Sequence, residues 1–507
     1  MTDIVLAALN AKYLHASLGL RYLLANMGEL RSRTQLLEFI WDQKPTDIAE
    51  RILAEQPRII ALGIYIWNAN EMLQLIQILK TVAPNIHIIL GGPEISHEQQ
   101  EQTLTKLADY VISGQGDLAF AELCRLILDG KAPTEKLIQA TPPPLDQIKM
   151  PYDEYTDIDV AQRLIYVEAS RGCPFKCEFC LSSLDKTAWP FALEDFLQAM
   201  DKLHRRGVRH FKFVDRTFNL NVKASQRILQ FFLDRMSDDL FLHFEVIPDH
   251  LPADLKELLV KFPAGTLQLE VGVQTFNEEV QARISRKQDN ATTVANLHWL
   301  REHTEAHLHV DLIVGLPGED LDSFAASFNR LWELRPHEIQ VGLLKRLRGT
   351  PIVRHTEEFA MAYAPQPPYS LLANRDLDFV TMQRLTRFAR YWDMLANSGR
   401  FAHALPLLLA NDAFGRFLQF SDWLHATSGQ THKIALPRLF QFIHQALTEI
   451  FAVPEQESLF ALARDCSAYG AKGCPGFLHR HLQQIQQIER SNIPTRQARH
   501  LQTTSTK

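Results

Sequence analysis

Short apolar runs alternate with amphipathic stretches through the first 140 residues of the chain. The apolar runs predict five strands, over Ile4–Leu9, Gln35–Trp41, Arg58–Tyr65, His87–Leu90 and Tyr110–Ile112. The stretches between them have helical spacing and predict helices over Leu18–Met27, Ile48–Glu55 (capped by Thr46 and Asp47), Glu71–Val82, Gln99–Leu107 and Asp117–Leu128. This alternation predicts an α/β domain over residues 1–140, built on a doubly wound, Rossmann-like parallel sheet.

The turns after these strands carry small and polar residues. Sheets of this kind bind ligands beyond the carboxyl ends of their strands. Residues 10–15 follow the first strand, Gly91 and Gly92 follow the fourth, and Gly114, Gln115 and Gly116 follow the fifth. Paired glycines let a ligand approach the backbone closely. The sequence therefore predicts a ligand site here. Which small molecule such a domain would bind is left open by the turns alone, and a Rossmann-like domain that binds nothing is the alternative.

A second alternating region follows a proline-rich joint. Thr141-Pro142-Pro143-Pro144 predicts a stiff linker over residues 141–160. Strands are then predicted over Arg163–Ala169, Arg209–Asp215, Phe241–Ile247, Thr266–Val273, His307–Gly315 and Glu338–Leu344, with helices such as Ala192–Arg205 and Val222–Met236 between them. Six strand–helix units over residues 161–360 predict a partial parallel barrel, with its chemistry at the carboxyl ends of the strands.

The last third of the chain changes to long helical patterns. Helices are predicted over Arg375–Leu395, Pro406–Phe414, Phe417–Ala426 and Pro437–Phe451, which makes residues 361–490 an all-α domain. Trp392 and the phenylalanine stripes have core spacing. The polar segment 491–507 predicts a disordered tail.

Composition narrows the class of protein. The net charge is −6 and no dense basic block is present, which argues against a nucleic-acid partner. No apolar run approaches the ~20 residues that span a bilayer, and the first residues lack a signal-peptide pattern. Six cysteines in 507 residues are few, so we expect a reduced, cytoplasmic protein.

Three of those cysteines, Cys173, Cys177 and Cys180, have the spacing CxxxCxxC. Iron–sulfur clusters normally take four cysteine ligands, so three would leave one iron open, as a catalytic metal site keeps a position open for substrate. A zinc site or a chance spacing is the alternative, although zinc usually takes four ligands, often from two CxxC-type pairs. Cys124 has a core position, and Cys466 and Cys474 are too few for a further cluster, so we expect two free thiols there.

This spacing, with Phe179 before the last cysteine, resembles the signature of the radical S-adenosylmethionine (SAM) superfamily. Segments at later strand ends fit the resemblance: Asp215 with its neighbours, Glu270-Val-Gly-Val-Gln274, Gly315-Leu-Pro317-Gly-Glu, and Gly349-Thr-Pro. The resemblance implies a [4Fe–4S] cluster on the three cysteines and SAM on its open iron. It also implies SAM contacts from Phe179, Asp215, Glu270, Gln274, Gly315 and Pro317. Asp215 and Glu270 as buried ion-pair partners are the alternative.

The first domain resembles the cobalamin-binding domain of one radical SAM class. That resemblance implies cobalamin contacts from Asn10, Lys12, His15, Gly91, Gly92, Gly114 and Gly116. Members that bind cobalt through histidine carry DxHxxG, whereas here no Asp lies two residues before His15 and Gly19 is one residue late. A hydrogen-bonding or surface role for His15 is therefore favoured over cobalt ligation. The helical extension resembles the DUF4080 type found in one subgroup.

Together these resemblances imply a cobalamin-dependent radical SAM enzyme. Its cluster would cleave SAM to a 5′-deoxyadenosyl radical, and methylcobalamin would give a methyl group to an unactivated carbon of a small molecule. An electron donor such as flavodoxin or ferredoxin is implied. The alternatives are a cyclase or oxidase without methyl transfer, and a non-catalytic cobalamin- or cluster-binding sensor. A tRNA methylthiotransferase needs three more cluster cysteines before the barrel, where this chain has only Cys124.

Overall fold

The computed structural model describes residues 2–185, 187–468 and 473–491. Their contacts divide the chain into two compact units. The first comprises Met1–Leu308, Leu316–Gly318 and Leu344–Arg375, and the second comprises His309–Gly315, Glu319–Leu343 and Asp376–Lys507. Of the tail predicted over 491–507, all but Ser491 lies outside the described residues.

The first unit begins with a six-stranded parallel sheet. Its strands are β1 (Ile4–Asn10), β2 (Thr34–Ile40), β3 (Ile59–Gly63), β4 (His87–Gly91), β5 (Tyr110–Ser113) and β6 (Leu137–Gln139), in the order β2-β1-β3-β4-β5-β6. Its helices are α1 (Leu18–Ala25), α2 (Pro45–Leu53), α3 (Ala69–Val82), α4 (Thr103–Leu107) and α5 (Ala119–Leu128). The sequence did not predict β6, because three residues at a sheet edge are too short to show a period.

Helices cover both faces of this sheet. α2, α3 and α4 pack on one face in a core that includes Val5 and Ile60, while α1 and α5 pack on the other face against Leu6 and Ala61. A strand buried on both faces reads as a continuous apolar run, as β1 does. The doubly wound α/β architecture is confirmed, and Cys124 is buried within the α5 layer.

Two helix starts differ from the prediction. α2 begins at Pro45 after Lys44, so Thr46 and Asp47 lie inside its first turn and do not cap it. Proline suits the first helical position because its nitrogen carries no hydrogen to satisfy. The helix predicted over Gln99–Leu107 is split at Gln102, whose backbone is extended and whose side chain donates to the carbonyls of Glu94 and His97.

The barrel-like part of the first unit follows. Its elements are α6 (Asp157–Gln162), β7 (Ile165–Val167), β8 (Ser170–Gly172), β9 (Ala188–Pro190), α7 (Leu193–Arg205), β10 (His210–Phe213), α8 (Val222–Leu233), β11 (Phe241–Val246), α9 (Ala253–Leu259), β12 (Leu267–Gln274), α10 (Glu278–Arg283) and α11 (Asn290–His303). β12, β11, β10 and β7 pair in that order, all parallel. β8 and β9 form a separate antiparallel hairpin.

The second unit holds most of β13 (His307–Val314), α12 (Leu321–Glu333), β14 (Glu338–Leu343) and the C-terminal helices. β13 and β14 pair in parallel. Before these helices, the first unit also contains the short strands β15 (Ala362–Tyr363) and β16 (Leu371–Ala373). The helices are α13 (Phe379–Leu395), α14 (Ala404–Leu409), α15 (Ala413–Ser428), α16 (Leu436–Gln445) with a π-helical turn at Ala446–Ile450, α17 (Glu455–Ala468) and α18 (His479–Ser491).

The helical core of the second unit confirms the predicted apolar stripes. Trp392 is 1% exposed, and its ring packs edge-on against Phe328 and Phe417. The boundary predicted at Phe414 is wrong, because Asp412 caps α15 by accepting from the Gly415 N–H.

Cys466 and Cys474 form a disulfide with their Cα atoms 5.9 Å apart, so the expectation of two free thiols is also wrong. Among the described residues, no helix has the length and low polarity needed to traverse a bilayer.

Candidate functional site

The three cysteines lie in the connection between β8 and β9, which we call the cysteine loop (residues 173–187). Cys173 and Cys177 are buried and Cys180 is half-buried. Burial raises the pKa values of the Cys173 and Cys177 thiols, and the neighbouring thiolates raise them further. Arg286 Nη1 donates to Cys177 Sγ at 3.6 Å, which acts in the opposite direction. Three thiolates gathered in this way need positive charge, which bound metal supplies.

A metal cluster differs from a single-ion site in how its ligands are spread. No three His, Cys, Asp or Glu side chains of the described residues surround one common ion position. Ligands of a four-iron cluster each bind a different iron. The thiols of the cysteine loop fit a cluster by their donor chemistry and by the burial of Cys173 and Cys177.

Glu178, inside the cysteine motif, anchors the loop and was missed by the sequence reasoning. It is 2% exposed, and its carboxylate accepts from Ser285 Oγ at 2.6 Å, from His355 Nε2 at 2.9 Å and from Arg354 Nη2. Its backbone also bonds to the Ile284 carbonyl and the Ile352 N–H. A charged residue next to a cysteine ligand was the available signal, but its partners lie about a hundred or more residues away in sequence.

Asp215 lies behind the hairpin that carries the cysteines. It is 3% exposed and accepts from the Ala169 N–H at 3.0 Å and from Ser170 Oγ at 2.7 Å. Burial raises the pKa of this carboxyl to about 7, and the nearby Glu168 adds to the shift. Asp215 thus fixes the start of β8. Its predicted SAM contact stays a prediction.

Alternate residues of β12 form a polar face. Leu269, Val271 and Val273 are buried on one side, while Glu270, Gly272 and Gln274 lie on the other. Glu270 Oε2 accepts from His243 Nε2 at 2.9 Å and lies 3.8 Å from Lys212 Nζ, so the ion-pair alternative describes part of its environment.

Gln274 has a strained backbone and a buried amide oxygen. Its backbone has φ +70°, which is rare for a residue with a side chain, and such strain concentrates at functional sites. Its Oε1 is buried without a hydrogen-bond partner in the part of the chain that the structure describes. A Cβ at Gly272 would lie 2.6 Å from Gln274 Nε2, so the glycine makes room for the amide. An unsatisfied buried oxygen fits a donor group of SAM.

The other predicted SAM residues are in different settings. Phe179 is half-buried in the cysteine loop. The Pro317 carbonyl accepts from Arg283 Nη1 at 2.9 Å, and Gly318 stands where a Cβ would strike the same guanidinium. Gly315 lies in the second unit and has φ +89° at the end of β13. Their roles stay predictions.

A slot of about 350 Å³ opens at the carboxyl ends of β3, β4 and β5. Gly91, Gly92, Gly114 and Gly116 all line it, together with apolar residues of α1 and Phe120 of α5. This volume is at the lower end of the ~300–1,000 Å³ usual for small-molecule sites. The structure therefore brings together the four glycines predicted to face cobalamin, around one slot of small-molecule size.

The loop after β1 contributes nothing to the wall of this slot. Asn10 Nδ2 donates to Glu38 Oε1 at 2.9 Å, and Lys12 is exposed. His15 Nδ1 is 2.6 Å from the Tyr166 hydroxyl, which fits the favoured hydrogen-bonding role. Burial lowers the pKa of His15, with Lys212 and Lys12 adding to the shift. Cobalamin contacts from these three residues stay predictions.

Arginines join the slot region to the barrel-like part, and no local sequence pattern predicted these contacts. Arg171 Nη1 and Nη2 donate to the two Asp117 oxygens at 2.9 and 3.0 Å. Arg348 donates to Glu94 and Glu98, both at 2.8 Å, just beyond the Gly91-Gly92 turn. Bidentate arginine–carboxylate pairs are directional, so they fix the two parts against each other.

Comparison with protein families matches three consecutive parts of the chain. Residues 4–124 match the B12 binding domain, residues 167–331 match the radical SAM superfamily, and residues 357–500 match a protein family of unknown function, DUF4080. The chain is a radical SAM protein with a B12-binding domain. The predicted family is thus confirmed. The radical SAM domain implies a [4Fe–4S] cluster and SAM, and the B12-binding domain implies cobalamin.

Two curated relatives of this radical SAM protein are informative. An uncharacterized methyltransferase of Pyrococcus horikoshii is 28% identical over 43% of this chain and 53% of its own length. The cobalamin-dependent radical SAM methyltransferase TokK of Streptomyces tokunonensis is 22% identical over 62% of this chain and 51% of its own. The chain thus spans about half the length of each.

A solved structure shares the fold. The radical SAM methyltransferase TsrM of Kitasatospora setae, with tryptophan substrate and a SAM analogue bound, aligns with a TM-score of 0.57 at 17% identity. The alignment covers 73% of this chain and 80% of TsrM. At this identity the likeness shows a shared fold over that portion of the chain.

Proposed function

We propose that this protein is a cobalamin-dependent radical SAM enzyme that modifies an unactivated carbon of a small molecule by methyl transfer. The observation that carries the proposal is the shared wall between its two sites. Glu168 and Arg171, which lead into the cysteine loop, also line the glycine-walled slot. A cluster and a cobalamin held in this way would serve one reaction volume.

The bound cofactors carry the difficult chemistry: cluster and SAM supply a 5′-deoxyadenosyl radical, and cobalamin supplies a methyl group. Cys173, Cys177 and Cys180 would hold the irons, and Arg286 would offset thiolate charge at Cys177. Gln274 offers an unsatisfied amide oxygen to SAM. The glycines of the slot let cobalamin approach the backbone.

Methyl transfer is favoured by the relatives. TokK is named a cobalamin-dependent radical SAM methyltransferase, and TsrM a radical SAM methyltransferase with tryptophan as its substrate. We therefore propose a small-molecule substrate for this chain. The cluster would be reduced by a donor such as flavodoxin or ferredoxin, and the protein would act in the cytoplasm. Our proposed division has domains at 1–140, 161–360 and 361–490.

Anaerobic reconstitution tests the proposal. The full chain, loaded with iron, sulfide and hydroxocobalamin, is given SAM and dithionite, and 5′-deoxyadenosine and S-adenosylhomocysteine are measured. We expect both products from the wild type. Cys177→Ala should lose 5′-deoxyadenosine, because one iron of the cluster loses its ligand.

The matched control is Cys124→Ala, which removes a thiol buried in α5. It should keep its iron and form 5′-deoxyadenosine. Full activity in Cys177→Ala would contradict the cluster assignment. Formation of 5′-deoxyadenosine without S-adenosylhomocysteine would favour a cyclase or oxidase, and binding of both cofactors without SAM cleavage would favour a sensor.

A further inference from the structure

Arg171 is part of both the cysteine hairpin and the glycine-lined slot. It is the middle residue of β8, paired with Trp189 of β9, and stands two residues before Cys173. Its side chain forms part of the wall of the glycine-lined slot. One residue therefore has its backbone in the cysteine hairpin and its guanidinium at the other cofactor site.

The Arg171 guanidinium makes hydrogen bonds to two carboxylates and lies over an aromatic ring. Asp117 accepts through both oxygens at 2.9 and 3.0 Å, and Glu168 Oε1 accepts from Nε at 2.7 Å. Its carbon lies 4.3 Å from the centre of the Tyr22 ring. A planar fork bound in this way cannot rotate without breaking several hydrogen bonds.

The partners of this guanidinium are themselves parts of the slot wall. Asp117 directly follows Gly116 in the turn after β5 and Tyr22 belongs to α1, and Asp117, Glu168 and Tyr22 all line the slot. The side chains of Arg171 and Asp117 are only 13% and 7% exposed. A molecule that displaced the β5 turn or α1 would also move Asp117 or Tyr22 against the guanidinium, since buried packing does not deform freely.

We propose that Arg171 is a positioning residue that couples the two cofactor sites, so that filling the slot fixes the hairpin that presents Cys173. The inference rests on the proposed function, because it takes the slot to hold cobalamin and the cysteine loop to hold a cluster. The chain would hold its cluster firmly after cobalamin has bound, and more loosely before.

Iron release measures this coupling without any turnover. The full chain is reconstituted anaerobically with iron and sulfide, and loss of iron to ferrozine is followed with and without hydroxocobalamin. In the wild type, cobalamin should slow iron release by at least about fivefold, the lower end of the usual range for coupling between sites. Cobinamide, which lacks the nucleotide tail, should slow it less if the tail fills the slot.

Arg171→Lys keeps the charge and removes the fork. With cobalamin bound at one per chain, the variant should release iron at the same rate as without it. Arg346→Lys is the matched control, since Arg346 donates to Glu98 at 2.9 Å but does not line the slot. It should keep the wild-type protection.

The outcomes separate the two claims. Protection in Arg171→Lys equal to that of the wild type would overturn the coupling while leaving the proposed function intact. A wild-type chain that takes up no cluster or no cobalamin would overturn the proposed function itself. If Arg171→Lys does not take up iron, Asp117→Asn replaces it in the test, because it weakens the same fork without altering the cysteine hairpin.

Discussion

A Cβ atom at Gly92 would lie 3.0 Å from the backbone nitrogen of Ile64 and closer still to its carbonyl oxygen. The turn after β4 therefore lies directly against the end of β3, and both contribute to the floor of the slot. Gly92 also has φ +109°, a conformation that side chains disfavour. Only a glycine satisfies both conditions.

The first prediction concerns this contact. Gly92→Ala should push the β4 turn away from Ile64 and weaken cobalamin binding by at least tenfold, or about 1.4 kcal/mol. Binding is measured by the absorbance change of hydroxocobalamin on titration with the protein.

Gly130→Ala separates close approach from backbone strain. Gly130 has φ +72° at the end of α5, but a Cβ there would meet nothing within 4 Å. This variant should bind cobalamin as the wild type does. Equal weakening in both variants would show that strain, and not the contact with Ile64, matters.

The second prediction concerns Glu178. Glu178→Gln removes a buried charge that faces Arg354 and His355, so an amide N–H would face donors in its place. We expect a loss of about 1–3 kcal/mol in the stability of the cysteine loop, the usual cost of an unsatisfied buried group. Iron and sulfide per chain should fall after reconstitution, measured by colorimetric assay.

Glu358→Gln makes the same chemical change at an exposed position three residues after His355. Its iron and sulfide content should match that of the wild type. A Glu178→Gln protein with a full cluster and unchanged thermal midpoint would contradict the anchoring role.

The third prediction is a pH dependence at Asp215. Its pKa is about 7 in the folded chain, against a usual value of 3.8. The folded state therefore binds the proton more tightly than the unfolded state, and stability falls as pH rises from about 4 to 7. The full loss is roughly 4 kcal/mol, at about 1.4 kcal/mol per pKa unit.

Asp215→Asn should abolish this loss while keeping one acceptor for Ala169 or Ser170. The thermal midpoint of the variant relative to the wild type should rise between pH 4 and pH 7 and stay level above it. The exposed Asp238→Asn should leave the wild-type pH profile unchanged. A constant difference between Asp215→Asn and wild type at every pH would show that Asp215 does not titrate in this range.

The strands and the cysteine loop were predictable because their signals are local. The apolar patterns of β1 and β12 are visible within a few consecutive residues, and the three cysteines lie within eight consecutive residues. By contrast, β6 is too short for any period, and the cap of α15 depends on one side chain, Asp412, that folds back on the helix start.

The amino-acid order alone determined the α/β class, the two cofactor motifs and the helical C-terminal region, since each depends on neighbours in sequence. Tertiary structure decided which charges hold the cysteine loop. Glu178 meets His355 across 177 positions, and Arg171 meets Asp117 across 54. Such pairs leave no periodic trace, because either side chain would look like an ordinary surface charge until folding buries both.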